Sequence, residues 1–206
     1  MALYTVITAD IIGSRKYKDK QALQSNIEDA LNVLNTEHEG IILSRFSMLR
    51  GDEIQGLIDS PVYIAPLIRH MRFYTRPVII RVGIGIGNIA TPIEQNNPWH
   101  MDGDAFHKAR EAVDSIKHIK RQATVLISGE KNTDDNVNII FALMDAINSR
   151  WTDAQWEAVH AYEKTKTYSN AAAVLGITMQ NVAKRCWAAH WDAFNKAEIH
   201  ISHLLS

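Results

Sequence analysis

The chain has 206 residues, 46% of them hydrophobic and 22% charged, with a formal net charge of −1. That is enough apolar material for one medium domain plus an appendage, and the near-neutral balance excludes recognition of nucleic acid or an anionic membrane by overall charge, leaving local patches. One cysteine, Cys186, excludes an internal disulfide and a cysteine-rich metal site.

The opening run, residues 3–12, reads as a buried strand rich in Val, Ile and Thr, without the features of a secretory signal. No apolar stretch approaches the length of a membrane span, so a cytoplasmic protein is expected. Gly13-Ser14 ends the strand, and Leu23, Ile27, Ala30, Leu31 and Leu34 predict an amphipathic helix over 19–37. Strands are predicted at 41–49 and 54–58, joined by a tight hairpin at Arg50-Gly51-Asp52-Glu53. A helix over 62–74 follows, then an alternating strand over 78–89. Gly83, Gly85 and Gly87 fall on one side of that strand, where something must approach the backbone closely, a packed helix in the first place or else a ligand. A helix over 104–119, with Asp104 as a candidate N-cap, a short strand at 124–128 and a helix over 136–150 complete this part. The order predicts an α+β fold: a mostly antiparallel, ferredoxin-like sheet with helices on one face, spanning 1–150.

Residues 151–206 carry no strand signal and four of the five tryptophans, and a small all-α domain is expected there. Thr152 is a candidate N-cap. Residues 169–185 read as helix, turn, helix, with Gly176 at the turn, Ile177 as a core plug and Thr178 as the cap of the second helix. Val182, Ala183, Cys186 and Trp187 are expected to face the core, and Gln180, Asn181, Lys184 and Arg185 to face outward. Such outward side chains suit DNA, since Gln and Asn read adenine edges, Arg reads guanine and Lys meets phosphate. Yet five acids and five bases fall in this segment, so a single copy carries no basic surplus, and a homodimer would be needed to concentrate Lys184 and Arg185. The alternative is a helical module for dimerisation or partner docking.

The candidate chemistry lies at two acidic strand ends. Asp10 closes the first strand, while Asp52 and Glu53 sit at the hairpin. Carboxylates that meet repel one another unless one is protonated or a cation lies between them, and Mg²⁺ favours one or two carboxylates plus phosphate oxygens. Asp10 and Asp52 are therefore metal-ligand candidates, for Mg²⁺ or Mn²⁺. Glu53 is the third candidate, although successive strand positions face opposite ways. The backbone of Ile11, Ile12, Gly13 and Ser14 offers a phosphate cradle, with Arg15, Lys16 and Arg50 to neutralise charge beside Gly51.

The run Asp10-Ile11-Ile12-Gly13-Ser14, the hairpin Gly51-Asp52-Glu53, the strand Arg81-Val82-Gly83-Ile84-Gly85-Ile86-Gly87 and the stretch Gly103-Asp104-Ala105-Phe106-His107-Lys108-Ala109-Arg110 resemble the palm domain of class III nucleotide cyclases and diguanylate cyclases. That resemblance implies metal ions on a nucleoside triphosphate held by the strand-end acids. This chain departs from the pattern. Met48 stands where cyclases place a base-selecting Lys, His107 where they place an Asn, and Arg50 where the diguanylate signature has a first Gly. Arg110 comes one position before the transition-state Arg, whose place Glu111 takes. One helical position is a rotation of about 100°. Arg110 and His107 are the candidate catalytic residues. More narrowly, Val6-Ile7-Thr8-Ala9-Asp10-Ile11-Ile12-Gly13-Ser14-Arg15 and the appended helices resemble the SatD family, and residues 152–190 are similar to the helix-turn-helix of sigma-factor region four.

Together these features predict a nucleotide- and Mg²⁺-binding palm coupled to a DNA-binding helix-turn-helix, a cytoplasmic transcription regulator. Two alternatives remain: an active metal-dependent nucleotide cyclase or nucleotidyltransferase, and a non-catalytic interaction module.

Overall fold

The structure, a computed structural model, describes residues 3–48 and 52–206. They form two compact units. One holds the chain up to Ala142 together with Ile201–Ser206, and the other holds Leu143–His200.

The first unit is a mixed α+β body. Its elements are β1 (Tyr4–Ile11), α1 (Lys20–Glu37), β2 (Ile42–Met48), β3 (Glu53–Ile58), α2 (Ile64–Thr75), β4 (Ile80–Gly87), α3 (Asp104–Ser115) and β5 (Ala123–Ile127). The sheet order is β2-β3-β1-β4-β5. The first four strands pair antiparallel, and β5 adds to β4 in parallel after the crossover through α3. β1 and β4 are central and buried on both faces, which is why they read as near-continuous apolar runs rather than as polar alternation.

Asp19 caps α1 by accepting from the Ala22 N–H at 2.9 Å, and the predicted stripe from Leu23 to Leu34 is buried. Buried Asn35 then pins the helix to β2. Its Nδ2 donates to the Phe46 carbonyl at 2.9 Å and its Oδ1 accepts from the Phe46 N–H at 2.8 Å. The pairing of β2 with β3 is irregular, so this amide fixes locally what the ladder does not.

The glycines of β4 do what their spacing predicts. A Cβ on Gly83 would strike the backbone of Ala109 and Val113, and one on Gly85 the backbone of Ala105 and Ala109. α3 therefore lies with its main chain pressed onto the strand. Its apolar side packs beside the glycine track, where Val6, Leu57, Met101, Ala105, Phe106 and Ala109 form one buried cluster.

Several boundaries differ from expectation. Helices occupy both faces of the sheet rather than one. α3 covers the glycine face, while Arg72 of α2 donates to Thr124 at 2.9 Å, and Thr124 is the register partner of Val82 on the opposite face. Gly103, not Asp104, is the N-cap of α3. Asp104 is the first helical residue, favoured there by the helix dipole and paired with Lys108 at 2.7 Å. α3 ends at Ser115, earlier than its periodicity suggests, and the next helix, α4 (Lys131–Asn148), begins earlier than predicted. Asn138 of α4 ties the helix to β5. Its amide bonds the Leu126 N–H at 2.7 Å and the Leu126 carbonyl at 2.9 Å, closing the free edge of β5. Arg50 and Gly51 of the hairpin lie outside the described residues.

The second unit is helical. It contains α5 (Asp153–Thr165), α6 (Tyr168–Leu175), α7 (Met179–Ala188) and most of α8 (Trp191–Leu204). Thr152 and Gln155 form a reciprocal capping box at the start of α5. Gly176 ends α6 in the left-handed conformation at φ 65°, and Thr178 caps α7 by accepting from the Asn181 N–H at 3.2 Å. The core is aromatic. Trp151 packs edge-on to Trp156 with centroids 4.8 Å apart, leans on Phe194 at 4.9 Å, and donates its indole N–H to the Ala189 carbonyl at 2.8 Å.

Trp187 is a correction. It is 81% exposed, whereas Val182, Cys186 and Ala189 are buried. The inward stripe of α7 runs 182, 186, 189, and position 187 is turned about 100° from 186. The expected core position of Ala183 is only half realised, since it is half-buried.

Candidate functional site at the acidic strand ends

Antiparallel pairing places Asp10 opposite Glu53 on one side and opposite Arg81 on the other. Residues directly opposite share a face. Glu53, the least favoured of the three acids in the sequence, is thus the one that stands beside Asp10 on the glycine face. Asp52, one residue earlier, accepts a hydrogen bond from the Ser14 hydroxyl, and its carbonyl accepts the Ile11 N–H at 3.0 Å. The structure therefore gathers Asp10, Asp52, Glu53 and Ser14 at one end of the sheet.

Two arginines balance these acids. The Arg81 guanidinium meets Asp10 Oδ2 at 2.6 Å, with both side chains largely buried. The same guanidinium donates to the carbonyls of Ile116, at 3.4 Å, and Lys117. Those carbonyls lie at the C-cap of α3 and just beyond it, where the helix dipole favours a cation. Arg110 of α3 pairs with Glu53 and is half exposed. Burial raises the Asp10 carboxyl above its ordinary range; Arg81 opposes that rise, and the neighbouring charges of Asp52 and Glu53 add to it. Donation to the Glu53 carboxylate raises Arg110 further, keeping it charged.

Arg81 was not singled out among the candidates in the sequence. The signal was present, because Arg81 shares the alternation of Gly83, Gly85 and Gly87 and so must lie on the α3 face with Asp10.

The expected phosphate cradle is halved. The Ile11 and Ile12 N–H groups are consumed by the Asp52 and Ile79 carbonyls, at 3.0 and 2.9 Å. Continuing sheet pairing reaches two residues further than the turn reading allowed. Gly13, at φ 74°, then turns the chain into a short 3-10 segment over Ser14–Lys16, and the N–H groups of Gly13 and Ser14 have no main-chain acceptor among the described residues. Beside them opens a cleft of about 270 Å³, lined by Ser14, Arg15, Lys20, Gln24, Met48 and Asp52. Among the described residues Arg15 and Lys20 are the cations of this lining, and Ser14 and Asp52 join the cleft to the acidic corner.

His107 is not drawn into the corner. It is a surface side chain, 75% exposed, and sits 3.1 Å from Asp102. In the helical unit, Gln180, Asn181 and Lys184 are exposed and Arg185 is half-buried. Asn181, Lys184 and Arg185 line a shallow cleft of about 320 Å³ with Thr152 and Gln155. Cys186 is buried, and burial pushes its thiol up to about 11.

A sheet carrying strand-end acids against a basic cleft, followed in one chain by a compact helical unit, defines a mixed α+β protein with an appended helical module. Residues 4–192 match the SatD family, and the chain belongs to that family. No curated protein matches the sequence. Among solved structures, a bacterial light-regulated adenylyl cyclase aligns at 8% identity and a TM-score of 0.43, covering 60% of this chain and 43% of that one. A second structure of a bacterial light-regulated adenylyl cyclase aligns at 10% identity and a TM-score of 0.42, covering 60% and 76%. Among the described residues no helix is long and apolar enough to cross a membrane.

Proposed function

We propose that this protein is a cytoplasmic regulator whose α+β unit binds a nucleotide together with Mg²⁺ or Mn²⁺, and whose helical unit acts on DNA as a homodimer. One observation carries the reading. Asp10, Asp52 and Glu53 converge at a corner where Ser14, Arg15 and Lys20 line a cleft. Carboxylates beside an anion-binding cleft are the arrangement that a metal-bound phosphate satisfies on both sides, the cation on the acids and the phosphate on the bases.

Asp10 and Asp52 would hold the metal. The N–H groups of Gly13 and Ser14, with Arg15 and Lys20, would hold phosphate oxygens. When bound, the metal would supply charge neutralisation between the acids and the phosphates. Arg81 stabilises the carboxylate form of Asp10, and Arg110 pairs with Glu53. A binding role is favoured over turnover by Met48, by His107 facing solvent beside Asp102, and by the engagement of Arg110 with Glu53. The helical unit's support is the outward face of Gln180, Asn181, Lys184 and Arg185.

Calorimetry with a panel of nucleoside mono-, di- and triphosphates, with and without Mg²⁺, tests the site. The expected result is metal-dependent binding that is lost in Asp52→Ala and weakened about tenfold or more in Lys20→Ala. Absence of binding across the panel, or binding indifferent to Asp52→Ala, rejects the reading. Incubation of the same panel with Mn²⁺ and product analysis would reveal a cyclic or linear product if the site turns over.

A further inference from the structure

A second cluster of metal-ligating side chains lies away from the acidic corner. α1 ends at Glu37, and His38 is its C-cap. α2 brings His70 alongside. His38 Nε2 and His70 Nδ1 are 2.8 Å apart, and His70 Nδ1 is 3.8 Å from Glu37 Oε1. One ligand atom from each of the three residues lies within 4.8 Å of the others. The cleft residue Lys20 opens the same helix that Glu37 closes. At 1.5 Å per residue the two places are separated by roughly 25 Å of helix.

We propose that Glu37, His38 and His70 form a binding site for a zinc-class transition-metal ion. Two imidazoles and one carboxylate are borderline-soft nitrogen donors with one oxygen, a set that suits zinc and its neighbours and is poor for Mg²⁺. Zinc bonds of about 2.0–2.1 Å in tetrahedral geometry place neighbouring donor atoms on the order of 3.3 Å apart. The observed separations of 2.8 and 3.8 Å fall on either side of that value. The two ring nitrogens that face each other across 2.8 Å form a hydrogen bond, one donating and one accepting, and an ion would take the proton's place between two lone pairs.

Two features of the surroundings favour a cation. The site sits on the C-terminal end of α1, whose last carbonyls carry partial negative charge. Tyr74, one turn beyond His70 on α2, donates its hydroxyl to Glu37 Oε2, leaving Oε1 toward His70. Such an outer partner orients a ligating carboxylate. Three protein ligands leave a fourth position for water or an incoming group.

This site is separate from the nucleotide reading and does not rest on it. The test uses the full chain stripped with a chelator and titrated with Co²⁺, then Zn²⁺, in competition with a chromophoric chelator. The expected result is about one Co²⁺ per chain, with the intense visible bands of tetrahedral coordination, displaced by Zn²⁺. Affinity should fall about tenfold or more in His38→Ala and in Glu37→Gln and stay unchanged in Asp52→Ala. His70 is buried, so His70→Ala is scored only if its circular dichroism matches the parent; His38 is half-buried and carries the test if it does not. The proposal is overturned if the parent binds neither ion, if His38→Ala binds as the parent does, or if binding is lost in Asp52→Ala alone.

Discussion

The acidic corner of the sheet and the outer face of α7 both carry side chains suited to phosphate chemistry, and they are built in opposite ways. In the corner each of the three acids has a partner inside the fold: Asp10 in Arg81, Glu53 in Arg110, Asp52 in the Ser14 hydroxyl. On α7, Gln180 and Lys184 make no side-chain hydrogen bond or ion pair with the described residues, and Trp187 stands 81% exposed beside them. A balanced corner is coupled to the stability of the fold, and a ligand there must replace bonds that already exist. An open helix face costs the fold nothing to change, so substitutions there should register only in binding.

Substitutions can break or sharpen that contrast. Asp10→Ala should have the largest effect. It leaves the Arg81 guanidinium buried without its carboxylate, and loss of one partner of a buried pair costs about 3–5 kcal/mol, toward the lower end here because two carbonyls still accept from it. Urea unfolding followed by circular dichroism measures this, and a loss below about 1 kcal/mol would mean the pair is not structural. Gly85→Ala should come next, at about 1–3 kcal/mol, because the new Cβ meets the backbone of α3 rather than a movable side chain. The same melt checks it, and an unchanged midpoint would contradict the close approach. Glu53→Gln removes a half-exposed pair and should cost no more than about 1 kcal/mol, with a salt dependence smaller than that of the parent. On α7, Trp187→Ala and Lys184→Ala should each stay within about 0.5 kcal/mol in the same melts. A large loss in Trp187→Ala would restore the core position that its sequence first suggests.

How far the sequence reached follows from the same particulars. Residues 3–12, the stripe from Leu23 to Leu34 and the three glycines of β4 announce their roles, because period and composition are local properties. Thr152, Gly176 and Thr178 are legible for the same reason. Register is not local. That Asp10 faces Glu53 and Arg81 depends on how three distant strands slide against one another, and a shift of one residue would have turned either partner to the opposite face. Trp187 fails differently. Its neighbour Cys186 belongs to the buried stripe, and a large aromatic next to it reads as core by residue type, although helical geometry turns it outward. The His38–His70 contact joins residues 32 apart, and neither histidine falls in a pattern that marks it.

One feature of α3 sets the pace at which the corner could respond. The glycine track holds the helix main chain against β4, so α3 has no room to slide or tilt without striking the strand. Arg81 is tethered at the end of that helix by two carbonyls, while Arg110 projects from its half-exposed side. Of the two counter-charges, only Arg110 can leave by rotating its own bonds. Departure of Arg110 from Glu53 is then a rotamer event on the picosecond to nanosecond scale, not a loop or domain movement of microseconds or longer. Glu53 is thus the acid that the corner can free without delay, whereas Asp10 stays held by Arg81 unless the end of α3 itself moves.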